Sequence, residues 1–215
     1  MKGTSIFVIT YAYDVLLLAV AVAGIARLRY LSAAFKILTC WCVLSLVLVI
    51  LEDIFIVKYR NNAPIFHVEA LLGYVFYALA YYYLFTARLI KNAIIVSLII
   101  IVPFALLNAL IWQPFQHVFP TYVNLPTLGL LAVLSLLLFR QMLLSPSNVL
   151  LLRQGVFWYN TAMLFYSTTM FLTTGLSNVY TGDKPLIYLI FYVWYFIVYI
   201  FAALLGIALL TAKKT

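Results

Sequence analysis

Seven long apolar runs, separated by short polar breaks, dominate the pattern of this sequence. A helix needs about 20 mostly apolar residues to cross a bilayer, and each run is about that long. Most breaks carry charged residues, Pro or Gly, which interrupt helices. The pattern therefore predicts an all-α integral membrane protein in which residues 1–215 form one domain, a seven-helix transmembrane bundle. The predicted helices are 5–26, 36–57, 65–87, 92–112, 121–140, 155–177 and 185–211.

The composition excludes a soluble fold. The chain is 67% hydrophobic and 8% charged, whereas soluble domains carry about 25% charged residues. Its net charge of +8 is compatible with nucleic-acid binding, but the Lys and Arg residues stand singly or in pairs between the apolar runs rather than along one face. We therefore expect the lipid bilayer, and not nucleic acid, to surround this chain.

The basic residues also predict an orientation, because cytoplasmic loops are enriched in Lys and Arg. With the N-terminus outside, nine of the thirteen Lys and Arg residues fall on the cytoplasmic side. The sequence thus predicts an outside N-terminus and a cytoplasmic C-terminus in a multi-pass protein of the cell membrane, the inner membrane of a bacterium. The basic residues left outside are Lys2, Lys58, Arg60 and Lys184.

Polar side chains inside the runs predict which helix faces meet. Hydrocarbon tolerates such groups poorly, so they should point into the bundle. Tyrosines on the seventh run recur at helical spacing, at Tyr188, Tyr192, Tyr195 and Tyr199. With the acids and amides of the other runs they predict an outward-facing polar and aromatic cavity. Its candidate ligand-binding residues are Asp14, Glu52, Glu69, Tyr77, Asn108, Asn160, Tyr192 and Tyr195.

These candidates have structural alternatives. Glu52 and Glu69 are close enough to helix ends to be solvated there, and a tyrosine stripe is more often packing than binding. Asp14 is harder to explain structurally, because no Lys or Arg lies at matching depth in the predicted bundle. His67 and His117 fall at loop boundaries, where a solvated histidine is expected more often than a ligand.

No catalytic residue, metal site or cofactor is predicted. Seven-helix zinc hydrolases need several histidine and carboxylate ligands, and this chain has two histidines. Cys40 and Cys42 are expected to face lipid or packed helices rather than a metal. Retinal is excluded, because its Schiff base needs a lysine in the last helix and residues 186–212 contain none. A hydrolase that uses paired carboxylates needs no local motif and stays open.

The longest break predicts a surface for a signalling partner. It runs from Gln141 to Gln154 on the predicted cytoplasmic side. So much apolar surface outside the core should be covered, either by a partner protein or, as an interfacial helix, by lipid. Its apolar residues are Met142, Leu143, Leu144, Val149, Leu150, Leu151 and Leu152.

Two segments, 61–69 (NNAPIFHVE) and 157–166, resemble a group of small bacterial seven-helix membrane proteins. Some of those look like the membrane sensor portions found beside or fused to histidine kinases. The resemblance implies Asn62, His67 and Glu69 as matched motif positions, and signalling through a partner, since the chain shows no output domain. Together with the converging polar faces it favours a sensor-like or receptor-like module that binds a small or lipidic ligand. A small-molecule or ion transporter is the alternative, and an intramembrane hydrolase the third.

Overall fold

The computed structural model describes the backbone of residues 2–116, 118–144, 150–179 and 184–212, and the side chains there except at 2–9, 177–179, 184–188 and 191. Within these ranges the chain is helical and has no strand. The seven α-helices are α1 Lys2–Ala26, α2 Ala33–Tyr59, α3 Ala63–Leu84, α4 Arg88–Leu107, α5 Thr121–Leu144, α6 Gly155–Val179 and α7 Lys184–Thr211. A π-helical turn, Asn108–Trp112, extends α4.

Five described segments are long and apolar enough to cross a membrane. They are α2, α3, α5, the segment Arg88–Trp112 and the segment Tyr192–Thr211 of α7. The segment Thr10–Ala26 of α1 is apolar but shorter, and α6 is not among the five. The prediction of an all-helical chain with seven helices is confirmed, and the five apolar segments are compatible with a multi-pass membrane protein.

Several helix ends differ from the predicted ones, for local reasons. α4 begins at Arg88 rather than at 92, because charged residues are tolerated in a first helical turn at the membrane edge. There the Lys91 ammonium lies 5.2 Å from the centre of the Tyr82 ring. α3 ends at Leu84 because the backbone becomes extended at Phe85. Arg60 ends α2 in the left-handed conformation, with φ 53°.

The helices pack mostly in chain order. α1 packs against α2, α2 against α3, α5 against α6, and α6 against α7, which returns to α1 and closes the ring. α3 also packs directly against α5, so α4 lies outside the ring, mainly against those two helices. The odd-numbered helices run in one direction and the even-numbered ones in the other. We call the end where the odd-numbered helices begin the amino-terminal end of the bundle.

Candidate functional site

Five helices bring acidic and tyrosine side chains together in the amino-terminal half of the bundle. We call this group the acid–tyrosine cluster, and its centre is a pair of carboxyl groups. The side chains of Glu52 of α2 and Glu69 of α3 lie within interaction distance of each other. At 1.5 Å per residue, Glu69 lies about 9 Å along α3 from its first residue. The other members are Tyr13, Asp14, Tyr77, Tyr166 and Tyr195.

α1 contributes Tyr13 and Asp14 from adjacent positions. Tyr13 interacts electrostatically with both Glu52 and Glu69, and its ring meets that of Tyr199 edge-on, with centroids 5.9 Å apart. The Oδ1 atom of Asp14 is buried and has no hydrogen-bond partner among the described residues. A buried polar atom of this kind is rare and calls for a ligand, an ion or a water.

An aromatic floor closes the cluster towards the middle of the bundle. The Trp41 indole Nε1 donates a hydrogen bond to the Tyr77 hydroxyl over 2.7 Å, which fixes the Tyr77 ring. Phe201 of α7 packs against Tyr77 and against Tyr166, with ring centroids 5.9 Å and 4.6 Å apart. Gly73 makes room for the indole, because a Cβ atom there would lie 3.2 Å from the Trp41 ring. The floor thus joins α2, α3, α6 and α7.

Some tyrosines of the α7 stripe lie inside the bundle and others lie on its surface. The Tyr195 hydroxyl lies 3.0 Å from the Thr10 hydroxyl of α1, and Tyr195 interacts electrostatically with Glu52 and Asp14. Tyr192, in contrast, is 42% exposed. The side chain of Tyr188 lies outside the described residues.

Asn160 belongs to a different place, a polar network in the other half of the bundle. Its Nδ2 donates to the Ser135 carbonyl oxygen over 2.9 Å, and its Oδ1 accepts a 3.0 Å hydrogen bond from the Tyr81 hydroxyl. That hydroxyl is also 2.6 Å from the Ser135 hydroxyl. All three residues are fully buried. This hydrogen-bond network links α3, α5 and α6 and therefore stabilises their packing. We call these three residues, Tyr81, Ser135 and Asn160, the clamp.

Asn108 opens the π-helical turn at the end of α4 and is fully buried. Its Nδ2 donates to the Gln113 Oε1 over 3.0 Å, while its Oδ1 has no partner among the described residues. Gln113 in turn donates to the Thr121 hydroxyl over 2.7 Å. These bonds tie the end of α4 to the start of α5.

Of the eight residues predicted from the sequence, the structure therefore brings five together: Asp14, Glu52, Glu69, Tyr77 and Tyr195. Asn108, Asn160 and Tyr192 lie apart from them. Sequence reasoning missed Tyr13 and Tyr166. Tyr13 precedes Asp14 directly, and Tyr166 falls seven residues after Tyr159 on one helix face, a spacing that was available in the sequence.

A separate cavity of about 530 Å³ lies at the amino-terminal end, between α3, α4 and the chain that leads into α5. None of the eight predicted residues lines it. On α3 its lining residues point roughly 150° away from Glu69, so the cavity and the acid–tyrosine cluster occupy opposite faces of that helix. Its walls are mainly carbon, and among its lining residues are His67, Leu71, Ala105, Ala109, Phe115 and Val123.

The expectation that His67 is solvated was wrong. Its side chain is 8% exposed, and Nε2 donates a 2.8 Å hydrogen bond to the Val118 carbonyl oxygen. The reason is that residues 113–116 and 118–120 fold back over the start of α3. There Asn61 donates a hydrogen bond to the Gln116 carbonyl oxygen, and the rings of Phe66 and Phe119 meet 5.1 Å apart. His117 lies outside the described residues.

The two cysteines differ in environment. Cys40 is exposed on the outer face of α2 and Cys42 is buried. Across the described part of the chain, no three His, Cys, Asp or Glu side chains are grouped so that they would hold a metal ion. No protein-family model, curated protein or solved structure matches this chain. Any functional conclusion therefore rests on the geometry of the bundle.

Proposed function

We propose that this chain is a sensor-like or receptor-like membrane module that binds a small or lipidic ligand at the acid–tyrosine cluster and acts through a partner protein. The observation that carries the proposal is the buried Oδ1 of Asp14, which has no hydrogen-bond partner among the described residues and belongs to a carboxyl group that interacts electrostatically with Glu52 and Asp53. Carboxyl oxygens inside a bundle are costly unless a donor reaches them. A ligand that presents a hydroxyl or amine group would supply that donor.

The cluster also lies where a bound ligand would contact several helices at once. Its members come from α1, α2, α3, α6 and α7, and no helix contributes more than two of them. A ligand that bonds to Asp14 on α1 and to the carboxyl pair would change the packing of α1 against α2 and α3. A receptor needs such coupling between its site and two arrangements of its helices.

The test is to identify what the purified protein carries. The full chain is extracted from its native membrane in mild detergent and analysed by native mass spectrometry, beside Asp14→Asn and Tyr83→Phe. Tyr83→Phe is the control, because Tyr83 is exposed near the other end of α3 and lies outside the cluster. We expect wild type and Tyr83→Phe to retain a bound molecule that Asp14→Asn loses by at least tenfold. Equal retention by all three proteins, or no bound molecule, would count against the site.

A transporter is the second candidate, favoured by one observation. α4 contains Pro103 and ends in the π turn Asn108–Trp112, and interrupted helices are common at transporter sites. Flux measurements in sealed proteoliposomes separate the two functions. The receptor proposal expects the molecule identified above to bind without crossing the vesicle membrane, whereas sustained flux through wild type that Asp14→Asn abolishes would make the chain a transporter.

We further propose that all seven helices cross the membrane. The number of membrane-spanning helices depends on α6, because its many hydroxyl side chains make it polar in composition. Those hydroxyls bond to the helix's own carbonyl oxygens: Thr161 to Phe157 over 2.9 Å, Ser167 to Met163 over 2.6 Å and Thr173 to Thr169 over 3.0 Å. A hydroxyl satisfied in this way costs little in hydrocarbon.

The proposed orientation, with the N-terminus outside a bacterial inner membrane, is tested by labelling. Single cysteines replace Tyr59 at the amino-terminal end and Ala87 at the other end, both exposed, in a variant without Cys40 and Cys42. An impermeant maleimide added to intact cells should label the cysteine at 59 and reach the one at 87 only after lysis. The reverse pattern would invert the orientation.

The partner is proposed to dock on the segment from Gln141 to Gln154, whose first four residues form the end of α5 rather than a break. Residues 145–149 lie outside the described part, but Leu150 and Leu152 are 70% and 63% exposed. The Trp158 indole holds this segment by donating a 2.8 Å hydrogen bond to the Leu152 carbonyl oxygen. Exchange of Leu150 and Leu152 for Met or Phe should weaken co-purification of a partner from the native membrane while insertion stays unchanged. Unaltered recovery of the same proteins would favour simple lipid contact.

A further inference from the structure

The cavity between α3 and α4 exists because small side chains line one wall. Ala105 and Ala109 are four residues apart on α4, and they face Val68 and Leu71 of α3 across the space. Larger side chains at these two positions would fill it. The π turn adds a residue to the helical turn there, which displaces the last part of α4 from regular spacing. The shape is thus built by the sequence of α4 rather than left by loose packing.

The size and chemistry of the cavity point to an apolar occupant. Its volume of about 530 Å³ lies within the ~300–1,000 Å³ of typical small-molecule sites. A space this large leaves its lining atoms without packing partners on one side, so a hydrocarbon chain that entered it would gain those contacts. Water is a poor filler, because water needs two to four polar partners and these walls are mainly hydrocarbon.

The route into the cavity passes from the lipid side. Leu106 and Leu110, which line it, are 55% and 78% exposed on the outer surface of α4. At the end of the bundle its lining includes His67 and Gln116. Because His67 Nε2 donates to the Val118 carbonyl oxygen, Nδ1 is the ring nitrogen left for a further hydrogen bond. A molecule with a hydrocarbon tail and a hydrogen-bonding head fits this arrangement.

We infer that this cavity is a binding site for the hydrocarbon chain of an amphiphile, which enters sideways between α3 and α4 and leaves its polar head near Gln116. The chain has two possible sources, a phospholipid of the surrounding leaflet or a free single-chain amphiphile such as a long-chain alcohol. The site is separate from the acid–tyrosine cluster and stands even if that cluster binds nothing.

Photo-crosslinking tests this site directly. The full chain in phospholipid nanodiscs is mixed with one of two probes, a long-chain alcohol with a terminal diazirine or phosphatidylglycerol with a diazirine at the end of one acyl chain. Labelled peptides are mapped by mass spectrometry. We expect labelling of the cavity-lining residues within 67–71 and 105–109 to exceed, by at least tenfold, that of the exposed residues of α4, which are Ile95, Val96, Ile99 and Ile100. It should also saturate and fall with excess unlabelled amphiphile. The probe that labels the site names the source of the chain.

Matched variants show whether the cavity itself is labelled. Ala109→Phe places a ring in the cavity, whereas Ala93→Phe adds the same ring to the exposed surface of the same helix. Labelling should fall to the lipid-facing level in Ala109→Phe and stay unchanged in Ala93→Phe. Ala105→Leu, a smaller change in the regular part of α4, repeats the test if Ala109→Phe does not fold. Even labelling of all lipid-facing residues with both probes, or labelling that ignores these variants, would overturn the inference.

Discussion

A methyl group at Gly155 should force α6 away from α7. Gly155 begins α6 and packs against the last turn of α7. A Cβ atom there would lie 2.6 Å from the Ala208 carbonyl oxygen and 2.8 Å from both the backbone N and the Cα of Ala212. These atoms are backbone, so no side-chain rotation relieves the clash. The two helices would have to separate by several tenths of an ångström.

The displaced turn also holds α1. The Ala208 carbonyl oxygen accepts a hydrogen bond from the Ala212 N–H over 2.9 Å, and the Ala212 carbonyl oxygen accepts one from Arg27 over 2.9 Å. Overpacking costs about 1–3 kcal/mol, and the rigid contact places Gly155→Ala near the middle of that range or above it. For a chain of this size, about 2 kcal/mol lowers the melting temperature by roughly 4–8 °C.

Thermal unfolding in detergent with a thiol-reactive dye measures the effect. In a Cys40→Ala background, the buried Cys42 thiol reacts only when the bundle opens. Gly175→Ala on the same helix is the control, because a Cβ atom there meets no heavy atom of the described neighbouring residues within 4 Å. Helix propensity predicts that Gly175→Ala is neutral or more stable by up to about 1 kcal/mol. If Gly155→Ala melted with its parent, the reasoning about α6 and α7 would be refuted.

Two more outcomes are expected. Tyr81→Phe leaves the buried Asn160 Oδ1 without its donor and should lower the free energy of unfolding by about 1–3 kcal/mol. Tyr83 is 55% exposed, so Tyr83→Phe should have little effect on stability in the same melting assay. Equal losses of stability in the two variants would show that the hydrogen bond to Asn160 is not the cause. A membrane-permeant maleimide should modify Cys40 in the folded protein at least tenfold faster than Cys42 in mass-spectrometric time courses. Equal rates would mean that Cys42 is not buried.

The hydrophobic pattern is sufficient to predict the helices. It does not predict where each helix begins or which hydrogen bonds form at its ends. The seven apolar runs predict seven helices because each is about as long as a bilayer span, and apolar runs of that length are rare in other structures. Charged residues predict a break, so the sequence places the start of α4 after Arg88, although charge is tolerated at a helix end. The π turn at Asn108 carries no sequence signal of its own, since its hydrogen bonds depend on Gln113 and on the start of α5.

The candidate site shows a similar division. Periodicity identifies which face of a helix is polar, and this was enough to bring Asp14, Glu52 and Glu69 together. It does not say which helix that face meets, so Asn160 was grouped with residues from the other half of the bundle. The cavity beside His67 was not predicted, because it depends on two alanines whose effect appears only when α3 faces them.

The position of α4 outside the ring has a mechanical consequence. In α3, 44% of the most apolar 18-residue stretch is buried inside the bundle. In α4 with its π turn, the buried share of the corresponding stretch is 22%. α4 is nevertheless held at both ends, because Thr86 donates to Gln141 of α5 and Gln113 bonds to Asn108 and Thr121. Between those ends, Tyr74 of α3 donates to Ser97 of α4 over 2.7 Å. A change in the spacing of α3 and α4 would therefore strain these few bonds, while the ring that contains Asp14 and Glu69 keeps its packing. Entry to the two regions of this bundle would then depend on different contacts, those of a peripheral helix and those of the ring.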